Sequence, residues 1–506
     1  MKKYLSFIIA LLLTALIPFS ASAGQSYYQP FDKGTQGSQL YRIPAILTLN
    51  DGSVLAAADM RYDHGSDSPN NLDTLVAISK DGYSQWEYNK INYFDDYADS
   101  ETAAESASFI DSAIGQSKQT GRIFIVTDAY PSEGGVLNSA KGSGYVEVNG
   151  KQYPALCKKG EEKFDYYADD FVNGYAKVLK LADGSETDYM IDSEFNLYSN
   201  GEPALMKQVG SDKNVQQNVF YKEADFTLLC TTYVWLRYSD DNGKSWSEPV
   251  ILNPQIKTEE DGFLGICPGR MFVTEYNGKE RIIFCVYDHS KTGKENVVTI
   301  YTDDNGESWS RGETVEHSFA AGKTSESQIV ELNNGTLRMF CRNKGSFVVS
   351  CDSTDGGVSW SKARCIEELP ANGNCMLSFI NTTKKIEGKS VVLGSFVSNT
   401  QERADGVIKV GTVEEDNSIT WISTYHSTDG FFAYSCLTEL ADGNFGYLYE
   451  DEAAHISYKI LSLDDSGNLS EINSNDIEFE EKEEKGGIKA FFKNLKIKIQ
   501  KALKLF

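Results

Sequence analysis

The stretch SDDNGKSW, residues 239–246, decides how the chain folds, because it returns as TDDNGESW at 302–309 and as STDGGVSW at 353–360. In each copy an Asp can hydrogen-bond the backbone ahead of it and a Gly can take a positive φ, and together they make a tight turn. A Trp closes each copy, where a large aromatic side chain can pack between two sheets. The repeat therefore predicts a hairpin turn that recurs along the chain.

The residues ahead of these octamers alternate between apolar and polar positions, as at 233–238 and 297–301, which is the period of a β-strand. The copies recur at intervals of roughly 50 to 60 residues, which suits one four-stranded unit per copy. We therefore predict an all-β fold, a β-propeller whose blades are marked by octamers that touch no substrate. A degenerate copy, SKDGYSQW at 79–86, has Tyr83 at the glycine position, and we expect a weaker turn there.

The composition limits the possible functions. The chain has 506 residues, 41% of them hydrophobic, so it can bury a large core, and its length suggests a large propeller with an insertion. A net charge of −25 argues against a nucleic-acid partner, because phosphate would be repelled over most of the surface. An anionic substrate would need a local cationic pocket. The nine cysteines and five histidines show no metal-binding spacing, so we expect no metal, no cofactor and no disulfide framework.

The two ends of the chain differ from the rest. Residues 1–23 carry two lysines, an apolar run and small residues before a cleavage site, which is typical of a secretory signal peptide rather than an uncleaved anchor. We therefore expect a secreted or cell-surface protein. Residues 476–506 are a charged linker and a basic amphipathic helix. The helix could dock on the acidic propeller, be solvated, or lie on an anionic membrane or wall surface.

The octamer is absent between residues 130 and 229, where Gly and Lys become frequent among short β-like runs. We interpret 130–229 as a small all-β insertion domain without a recognisable catalytic motif. Residues 24–129 and 230–475 would then form the propeller.

The tetrapeptide YRIP, residues 41–44, places Arg42 between apolar neighbours. A guanidinium is costly to bury without a partner, so Arg42 must pair with an internal carboxylate or face the carboxylate of a ligand. The tetrapeptide alone leaves both possibilities open. Together with the octamers, it resembles the bacterial exo-sialidases, a six-bladed propeller family with an Arg-Ile-Pro motif in the first blade and repeated octamers called Asp boxes. The resemblance runs from about residue 41 to residue 450.

The resemblance implies a site that cleaves a sugar linkage, and it assigns residues to that site. The polar loop at 62–71 would supply the acid/base carboxylate, Asp67, with Asp63 as its rival. Arg61 would help to bind the sugar ring. Asp111 is a further candidate for binding the substrate.

Glu326 precedes a strand-like run and Arg342 follows its hairpin partner, so both should lie at the same end of one blade. The resemblance implies that Glu326 is the base beside the nucleophile, and the alternative is an ion pair with Arg342 that does no chemistry. It also implies that Arg42, Arg342 and Arg403 hold the carboxylate of the substrate. Arg364 is the rival of Arg403.

The run FFAYSCLTELADGNFGYLYE, residues 431–450, is similar to the family's final blade, and this similarity assigns Tyr434 as the nucleophile. The reacting carbon of sialic acid carries a carboxylate, which would repel an attacking Asp or Glu but not a neutral Tyr. A Tyr with a pKa of about 10 is a poor nucleophile, so Glu326 must take its proton. Arg270, which follows a turn, is left outside the site.

The resemblance as a whole implies a monomeric, retaining exo-α-sialidase that releases terminal sialic acid from glycoproteins, glycolipids and oligosaccharides. The first alternative is a sialyl transferase with the same site, acting on another sugar or on the glycerol hydroxyl of the same sugar. The second is a non-catalytic propeller that binds sialoglycans, and it requires Tyr434, Glu326 or Asp67 to lie outside the arginine pocket.

Overall fold

The protein's structure, a computed structural model, describes residues 28–62, 64–96, 100–288, 295–317, 322–372 and 374–472. The predicted signal peptide, the C-terminal linker and helix, and Asp63 lie outside the described residues. The described secondary structure is almost entirely β. Its helical pieces are an α-helical turn at Asn253–Ile256 and 3-10 turns at Thr35–Gly37, Ser100–Glu105 and Asn333–Gly335. Within these ranges, no helix has the length and apolarity needed to cross a lipid bilayer.

Six sheets follow one another along the described chain as the blades of a propeller, which confirms the predicted fold class. Blades 1, 4, 5 and 6 are each built from four consecutive strands. These strands are Leu40–Thr48, Val54–Arg61, Leu72–Ser79 and Trp86–Asn92 in blade 1; Ser327–Glu331, Leu337–Cys341, Phe347–Ser353 and Arg364–Pro370 in blade 4; Ser378–Ile386, Lys389–Val397, Gly406–Val413 and Ile419–His426 in blade 5; and Ser435–Glu439, Phe445–Glu452, His455–Leu463 and Leu469–Glu471 in blade 6.

Blades 2 and 3 are less regular, because short extra strands join them. Blade 2 contains Ser108–Gln116, Ile123–Tyr130, Tyr233–Ser239 and Val250–Ile251, and Gly269–Arg270 pairs in parallel with its first strand. Blade 3 contains Leu264–Ile266, Phe272–Tyr276, Lys279–Asp288, Asn296–Thr302 and Ser310–Arg311. Leu264–Ile266 and Phe272–Tyr276 both pair with Lys279–Asp288 and together take the place of the first strand, so Lys279–Asp288 counts as the second and Asn296–Thr302 as the third.

The segment between the second and third strands of blade 2 has sheets of its own. Its strands are Tyr145–Val148, Lys151–Lys158, Tyr166–Ala168, Tyr175–Lys180, Glu186–Asp192, Leu197–Ser199, Glu202–Pro203, Leu205–Lys207, Asn214–Gln216 and Phe226–Thr227. Eight of them form one sheet, and the remaining two pair as a separate hairpin. Phe195 and Phe220 of this segment share an apolar cluster with Phe109 and Trp235 of blade 2. The segment is therefore packed firmly against the blade that carries it.

Neighbouring blades are joined by hydrogen bonds at every junction of the ring. One bond from each junction is Asn50 N to Gln116 Oε1 (2.7 Å), Ile266 N to Asp128 Oδ2 (2.9 Å), Thr274 Oγ1 to Glu331 Oε2 (3.0 Å), Glu331 N to Asn381 Oδ1 (2.7 Å), Leu437 N to Ser378 Oγ (3.1 Å) and Thr48 N to Thr438 Oγ1 (2.9 Å). Blades 1 and 6 share no strand in the described chain, and they are joined both by side-chain hydrogen bonds and by a backbone hydrogen bond from Tyr41 N to Ala454 O at 3.1 Å.

Each Asp box is the turn between the third and fourth strands of its blade. Asp241 accepts hydrogen bonds from the N–H and the hydroxyl of Ser245 at 2.9 and 2.6 Å. Gly243 has a φ of 81°, and a Cβ there would lie 2.8 Å from a side chain of blade 1, so only Gly fits. Trp309 packs edge-on against Phe124 of the preceding blade, with ring centroids 6.0 Å apart. The boxes therefore fasten each blade to the one before it.

The degenerate box at 79–86 keeps its turn through a shift of one residue. Gly82, the residue before Tyr83, takes the positive φ of 82°. Asp81 still accepts hydrogen bonds from the N–H and the hydroxyl of Ser84 at 2.7 and 2.8 Å. The expectation of a weaker turn is wrong for its hydrogen bonds, because the glycine has moved by one position and still takes the left-handed conformation.

All nine cysteines are free thiols, and six of them are buried. Cys285, Cys341 and Cys351 belong to one apolar cluster of blades 3 and 4. A buried thiol in such a cluster fills the space of a small hydrophobic side chain.

Candidate active site

The predicted site residues all lie at one end of the propeller. In each blade the first strand begins and the second strand ends at this end, whereas the Asp boxes follow the third strand and lie at the opposite end. Side chains at these strand ends line a cavity of about 190 Å³. The predicted residues that line the cavity are Arg42, Asp67, Asp111, Glu326, Arg342, Arg403 and Tyr434.

Arg42 reaches the cavity from the first strand of blade 1. Its Nε and Nη2 donate to the two oxygens of Glu450 at 3.1 and 3.3 Å, and its Nη1 donates to Asp67 Oδ1 at 3.1 Å. The next residue, Ile43, has a φ of 60°, which is strained for a β-branched residue, and its N–H donates to Glu450 Oε1 at 3.0 Å. Arg42 therefore pairs with internal carboxylates, as the first interpretation predicts, and it also lines the cavity. That it faces the carboxylate of a ligand stays a prediction.

Arg61 lies behind Asp67 and is fully buried. Its Nη1 donates to Asp67 Oδ1 at 2.8 Å and to Gly65 O at 2.6 Å, and its Nη2 donates to Asp59 Oδ2 at 3.1 Å. Arg61 is not among the residues that line the cavity, because the loop that it supports covers its guanidinium. In the free protein Arg61 holds Asp67 in place, and its role in binding the sugar ring stays a prediction.

The side chain of Asp67 is 59% exposed and stands at the mouth of the cavity. Partial burial would raise the pKa of its carboxyl, but the guanidinium groups of Arg61 and Arg42 outweigh that effect and hold the pKa below its usual range. Asp67 is therefore ionised at neutral pH in the free protein.

Tyr434, Glu326 and Arg342 form a hydrogen-bonded triangle. The hydroxyl of Tyr434 donates to Glu326 Oε1 at 2.6 Å, and Arg342 Nη1 donates to Glu326 Oε2 at 2.6 Å and to the Tyr434 hydroxyl at 3.0 Å. The predicted ion pair between Glu326 and Arg342 is thus present, and both of its members also hydrogen-bond the hydroxyl of Tyr434. Burial, and then the charge of Glu326, raise the pKa of Tyr434 well above its usual value, so the hydroxyl keeps its proton in the free protein.

Arg403 completes the cationic wall of the cavity. The guanidinium carbons of Arg42 and Arg403 lie over the ring of Tyr434, 5.3 and 5.5 Å from its centroid. Asn374 links two of the arginines, because its carbonyl accepts from Arg403 Nη2 and its Oδ1 accepts from Arg342 Nη2, both at 3.1 Å. In the described part of the chain Arg403 has no ion-pair partner. Its charge is therefore available to an anion that enters the cavity.

The two arginines that were not assigned to the site lie elsewhere. Arg364 pairs with Asp352 at 3.1 Å on the outer strand of blade 4. Arg270 lines a different cavity, of about 510 Å³, together with Thr48 and Glu439. Neither is among the residues that line the cavity of Tyr434.

Asp111 presents an unusual carboxyl to the cavity. Its backbone has a φ of 62°, and its N–H donates to Asp59 Oδ1 at 3.2 Å. Burial, and then the charges of Asp59 and Glu326, raise the pKa of Asp111 well above its usual range. Asp111 therefore keeps its proton to a higher pH than an ordinary Asp, and in its protonated form the carboxyl can both donate and accept a hydrogen bond.

Sequence reasoning missed two acidic residues that hold the site together. Glu450 lies near the end of the second strand of blade 6, where its N–H donates to Tyr434 O at 2.9 Å, and Asp59 stands opposite Arg42 in the register of blade 1. A residue that begins the first strand of a blade and one that ends the second strand must share one end of the blade. This rule, which paired two predicted residues of blade 4, would have found both Glu450 and Asp59.

Asn374 was missed as well. It lies in the connection between blades 4 and 5, outside any strand. An Asn in a connection is common, because its side chain suits turns, so its residue type carries no sign of a role in the site.

Comparison with known proteins places the chain in a family. A family model described as a BNR repeat-like domain matches residues 205–447. The chain is 32% identical over 452 residues to an anhydrosialidase of Macrobdella decora, covering 82% of this chain and 58% of that protein. It is 29% identical over 442 residues to sialidase B of Streptococcus pneumoniae, covering 81% and 61%. The chain spans about three fifths of the length of these two curated relatives.

The fold comparison covers a whole relative. The crystal structure of the intramolecular trans-sialidase from Ruminococcus gnavus, in complex with oseltamivir carboxylate, superimposes with a TM-score of 0.80 at 33% identity. The match covers 89% of this chain and 100% of that chain. With this match over a complete chain, and with the Asp boxes and the Arg-Ile-Pro motif in place, the chain belongs to the bacterial sialidase family.

Proposed function

We propose that the protein is a retaining exo-α-sialidase that releases terminal sialic acid from glycoproteins, glycolipids and oligosaccharides. The observation that carries this proposal is the 2.6 Å hydrogen bond from Tyr434 to Glu326 inside a cavity lined by three arginines. A sugar whose reacting carbon bears a carboxylate calls for cations around a neutral nucleophile. The non-catalytic alternative is disfavoured, because Asp67 lines the same cavity as Tyr434 and the arginines.

Binding of the substrate would prepare the acid. The carboxylate of the sugar would be held by Arg403, which has no ion-pair partner in the described chain, and by Arg342 and Arg42. It would compete with Asp67 for Nη1 of Arg42, which now bonds Asp67 at 3.1 Å. Loss of that bond and the arrival of a second negative charge both raise the pKa of Asp67. Asp67 then takes up the proton it needs.

In the first chemical step, Glu326 takes the proton of Tyr434 while the phenolic oxygen attacks the anomeric carbon. Asp67 gives its proton to the glycosidic oxygen, the bond from carbon to that oxygen breaks, and the alcohol leaves. Arg342, whose Nη1 lies 3.0 Å from the hydroxyl, stabilises the negative charge that develops on the phenolic oxygen.

In the second step, Asp67 takes a proton from water, and the water oxygen displaces Tyr434 from the anomeric carbon. Glu326 returns its proton to the tyrosine, so every group regains its starting state. Two displacements at one carbon retain the configuration.

The similarity to the Ruminococcus gnavus and Macrobdella decora proteins, named for intramolecular transfer and for an anhydro product, favours a second candidate outcome. A hydroxyl of the bound sugar's own glycerol chain would replace water as the acceptor. Asp67 would take the proton of that hydroxyl, whose oxygen would displace Tyr434. The product would be an anhydro sugar, lighter than sialic acid by one water. Transfer to another sugar would use the same groups.

We also propose that the protein is exported as a monomer and that its C-terminal helix contacts the propeller or an anionic surface. The residue pattern of 1–23 supports export, and that of 476–506 supports the contact of the helix. Amino-terminal sequencing of the mature protein should begin at Gly24, and an intact Met1 would contradict export through a cleaved signal.

Mass spectrometry of the products formed from sialyllactose tests the proposed reaction. We expect the wild type to release sialic acid and lactose, and Tyr434→Phe to lose about a thousandfold or more in turnover, because the ring remains but the attacking oxygen is gone. Tyr447→Phe is a matched control, because its buried hydroxyl bonds Ser395 and Ser427 away from the cavity.

The outcomes separate the candidates. A released sugar lighter by one water would indicate intramolecular transfer. Unchanged turnover in Tyr434→Phe would remove the tyrosine from its proposed role. A wild type that binds sialyllactose without cleaving it would leave only the sialoglycan-binding propeller.

A further inference from the structure

The inserted segment places one apolar side chain in the wall of the cavity and a second apolar residue next to it in the chain. Residues 131–140 leave the second strand of blade 2 as the first loop of this segment. Val136 lines the cavity and is 38% exposed, and the next residue, Leu137, is 97% exposed. We call Val136 and Leu137 the apolar lip.

The loop that carries the apolar lip is tied down at both ends. Ser132 N donates to Phe220 O at 2.9 Å, and Ala140 N donates to Cys230 O at 2.8 Å. Further hydrogen bonds lie within the loop, such as that from Gly134 N to Pro131 O at 2.8 Å. A ligand that packs on a loop already held in place loses little free energy to ordering it.

The apolar lip adjoins the loop of Asp67. A Cβ on Gly135 would lie only 2.5 Å from Ser68 O, so the two loops touch through the backbone of Gly135. Ser68 follows Asp67 directly. Asp67 itself stands at the open mouth of the cavity, with 59% of its side chain exposed.

This position identifies what would meet the apolar lip. In the proposed reaction Asp67 protonates the glycosidic oxygen, so the group attached to that oxygen must lie at Asp67. In the proposed reaction the sialic acid carboxylate is held by Arg42, Arg342 and Arg403, which surround Tyr434. The part of the substrate that extends past Asp67 toward solvent is therefore the leaving group.

A single exposed apolar residue is ordinary on a protein surface. Val172 and Leu205 of the same inserted segment are 67% and 58% exposed, and neither lines the cavity. The apolar lip differs from Val172 and Leu205 in its position. Its Val136 lines the cavity, and both of its residues lie on a loop that is held at its two ends next to the proposed acid.

Resting on the proposed function, we propose that the apolar lip is the binding surface for the leaving group, the penultimate sugar of the glycan. One face of a pyranose ring is covered by C–H groups, and this face would pack on Val136 and Leu137 and be removed from water. An aryl group in the position of that sugar would pack there in the same way. The inserted segment would thus set which glycans the enzyme accepts, without touching the sialic acid.

The test compares ligands with and without a leaving group. Leu137→Ser should lower kcat/KM for sialyllactose and for 4-methylumbelliferyl sialoside about three- to tenfold, the range expected when part of one Leu's apolar contact is lost. The inhibition constant of the 2,3-dehydro analogue of sialic acid, which keeps the carboxylate but lacks a leaving group, should stay within about twofold. Leu205→Ser is the matched control, an equally polar change at an exposed Leu away from the cavity, and should change neither quantity.

The results distinguish the two proposals. A wild type that binds the dehydro analogue but cleaves neither sialoside overturns the proposed function, and the leaving-group surface with it. If the wild type cleaves both and Leu137→Ser matches it on both, the leaving-group surface alone is overturned. An equal weakening of substrates and of the dehydro analogue also overturns it, because the apolar lip would then contact the sialic acid itself.

Discussion

The two ends of the propeller use the same strands in opposite ways. At the Asp-box end, successive blades repeat one arrangement, in which an Asp holds the turn, a Gly makes room and a Trp reaches the preceding blade, as Trp309 does. At the cavity end no two blades contribute alike: blade 1 supplies Arg42, blade 4 supplies Glu326 and Arg342, and blade 6 supplies Tyr434. Repetition holds the ring together, and divergence makes the site.

This difference means that stability and activity should separate by position. A side chain at the cavity end that makes few contacts in the free protein can be removed with little effect on folding. A side chain at the Asp-box end can be removed with little effect on substrate binding. The following changes test that separation.

Arg403→Ala should have the largest effect on activity. Among the described residues this guanidinium makes one hydrogen bond, to Asn374 O, while the substrate carboxylate would bond it directly. We expect kcat/KM to fall about a hundred- to a thousandfold, with the melting temperature nearly unchanged. Steady-state kinetics and thermal unfolding measure the two quantities. Arg364→Ala, on the outer strand of blade 4, is the control, and equal losses in both variants would contradict the assignment of Arg403.

Trp309→Ala should show the reverse pattern. The Trp packs against Phe124 of blade 2 and Phe284 of its own blade, so its loss leaves a cavity between blades. We expect the free energy of unfolding to fall by about 3–5 kcal/mol, while kcat/KM of the folded enzyme stays within about twofold. Urea unfolding followed by fluorescence and by activity checks this. Trp309→Phe should lose less stability, and an early loss of activity in Trp309→Ala would show that the two ends are coupled.

The pH dependence of turnover should show a smaller effect than either substitution. In the free protein Arg61 and Arg42 hold the pKa of Asp67 low, so the proposed acid loses its proton as pH rises through that low value. In the proposed mechanism, substrate binding releases Arg42 from Asp67 and raises the pKa of Asp67. The alkaline limb of kcat/KM, which reports the free enzyme, should therefore lie at lower pH than the limb of kcat, by about one unit. Coincident limbs would show that Asp67 keeps its contact with Arg42 in the complex.

The fold could be predicted from the sequence because the Asp box is local. One octamer holds its own turn residue, its glycine and its Trp, so a short pattern reports a complete hairpin. The degenerate copy shows the limit of this reasoning, since the glycine moved by one position to Gly82 and the turn kept its hydrogen bonds. The backbone turn tolerates a shift of the glycine that the sequence motif does not.

The site is harder to predict, because its groups come from distant parts of the chain. Arg42 and Glu450, which share two hydrogen bonds, are 408 residues apart. The family resemblance named the residues that line the cavity, but it did not distinguish a residue in the cavity from one beneath it. Arg61 ends a strand next to the loop of Asp67 and reads as a ligand for the sugar, yet it lies under that loop. Whether a side chain reaches the cavity or is covered depends on how the neighbouring loop folds over it, and no local sequence pattern shows that.

The seam between blades 1 and 6 has a consequence for how the protein fails. No strand crosses it in the described chain, and above it the Glu450 carboxylate of blade 6 clasps the Arg42 guanidinium of blade 1. The reaction centre therefore straddles the junction of the first and last blades, which hydrogen bonds and packing close without a connecting segment of the described chain. On gentle heating, turnover should be lost before the sheets unfold, so the loss of activity would mark the separation of blades 1 and 6.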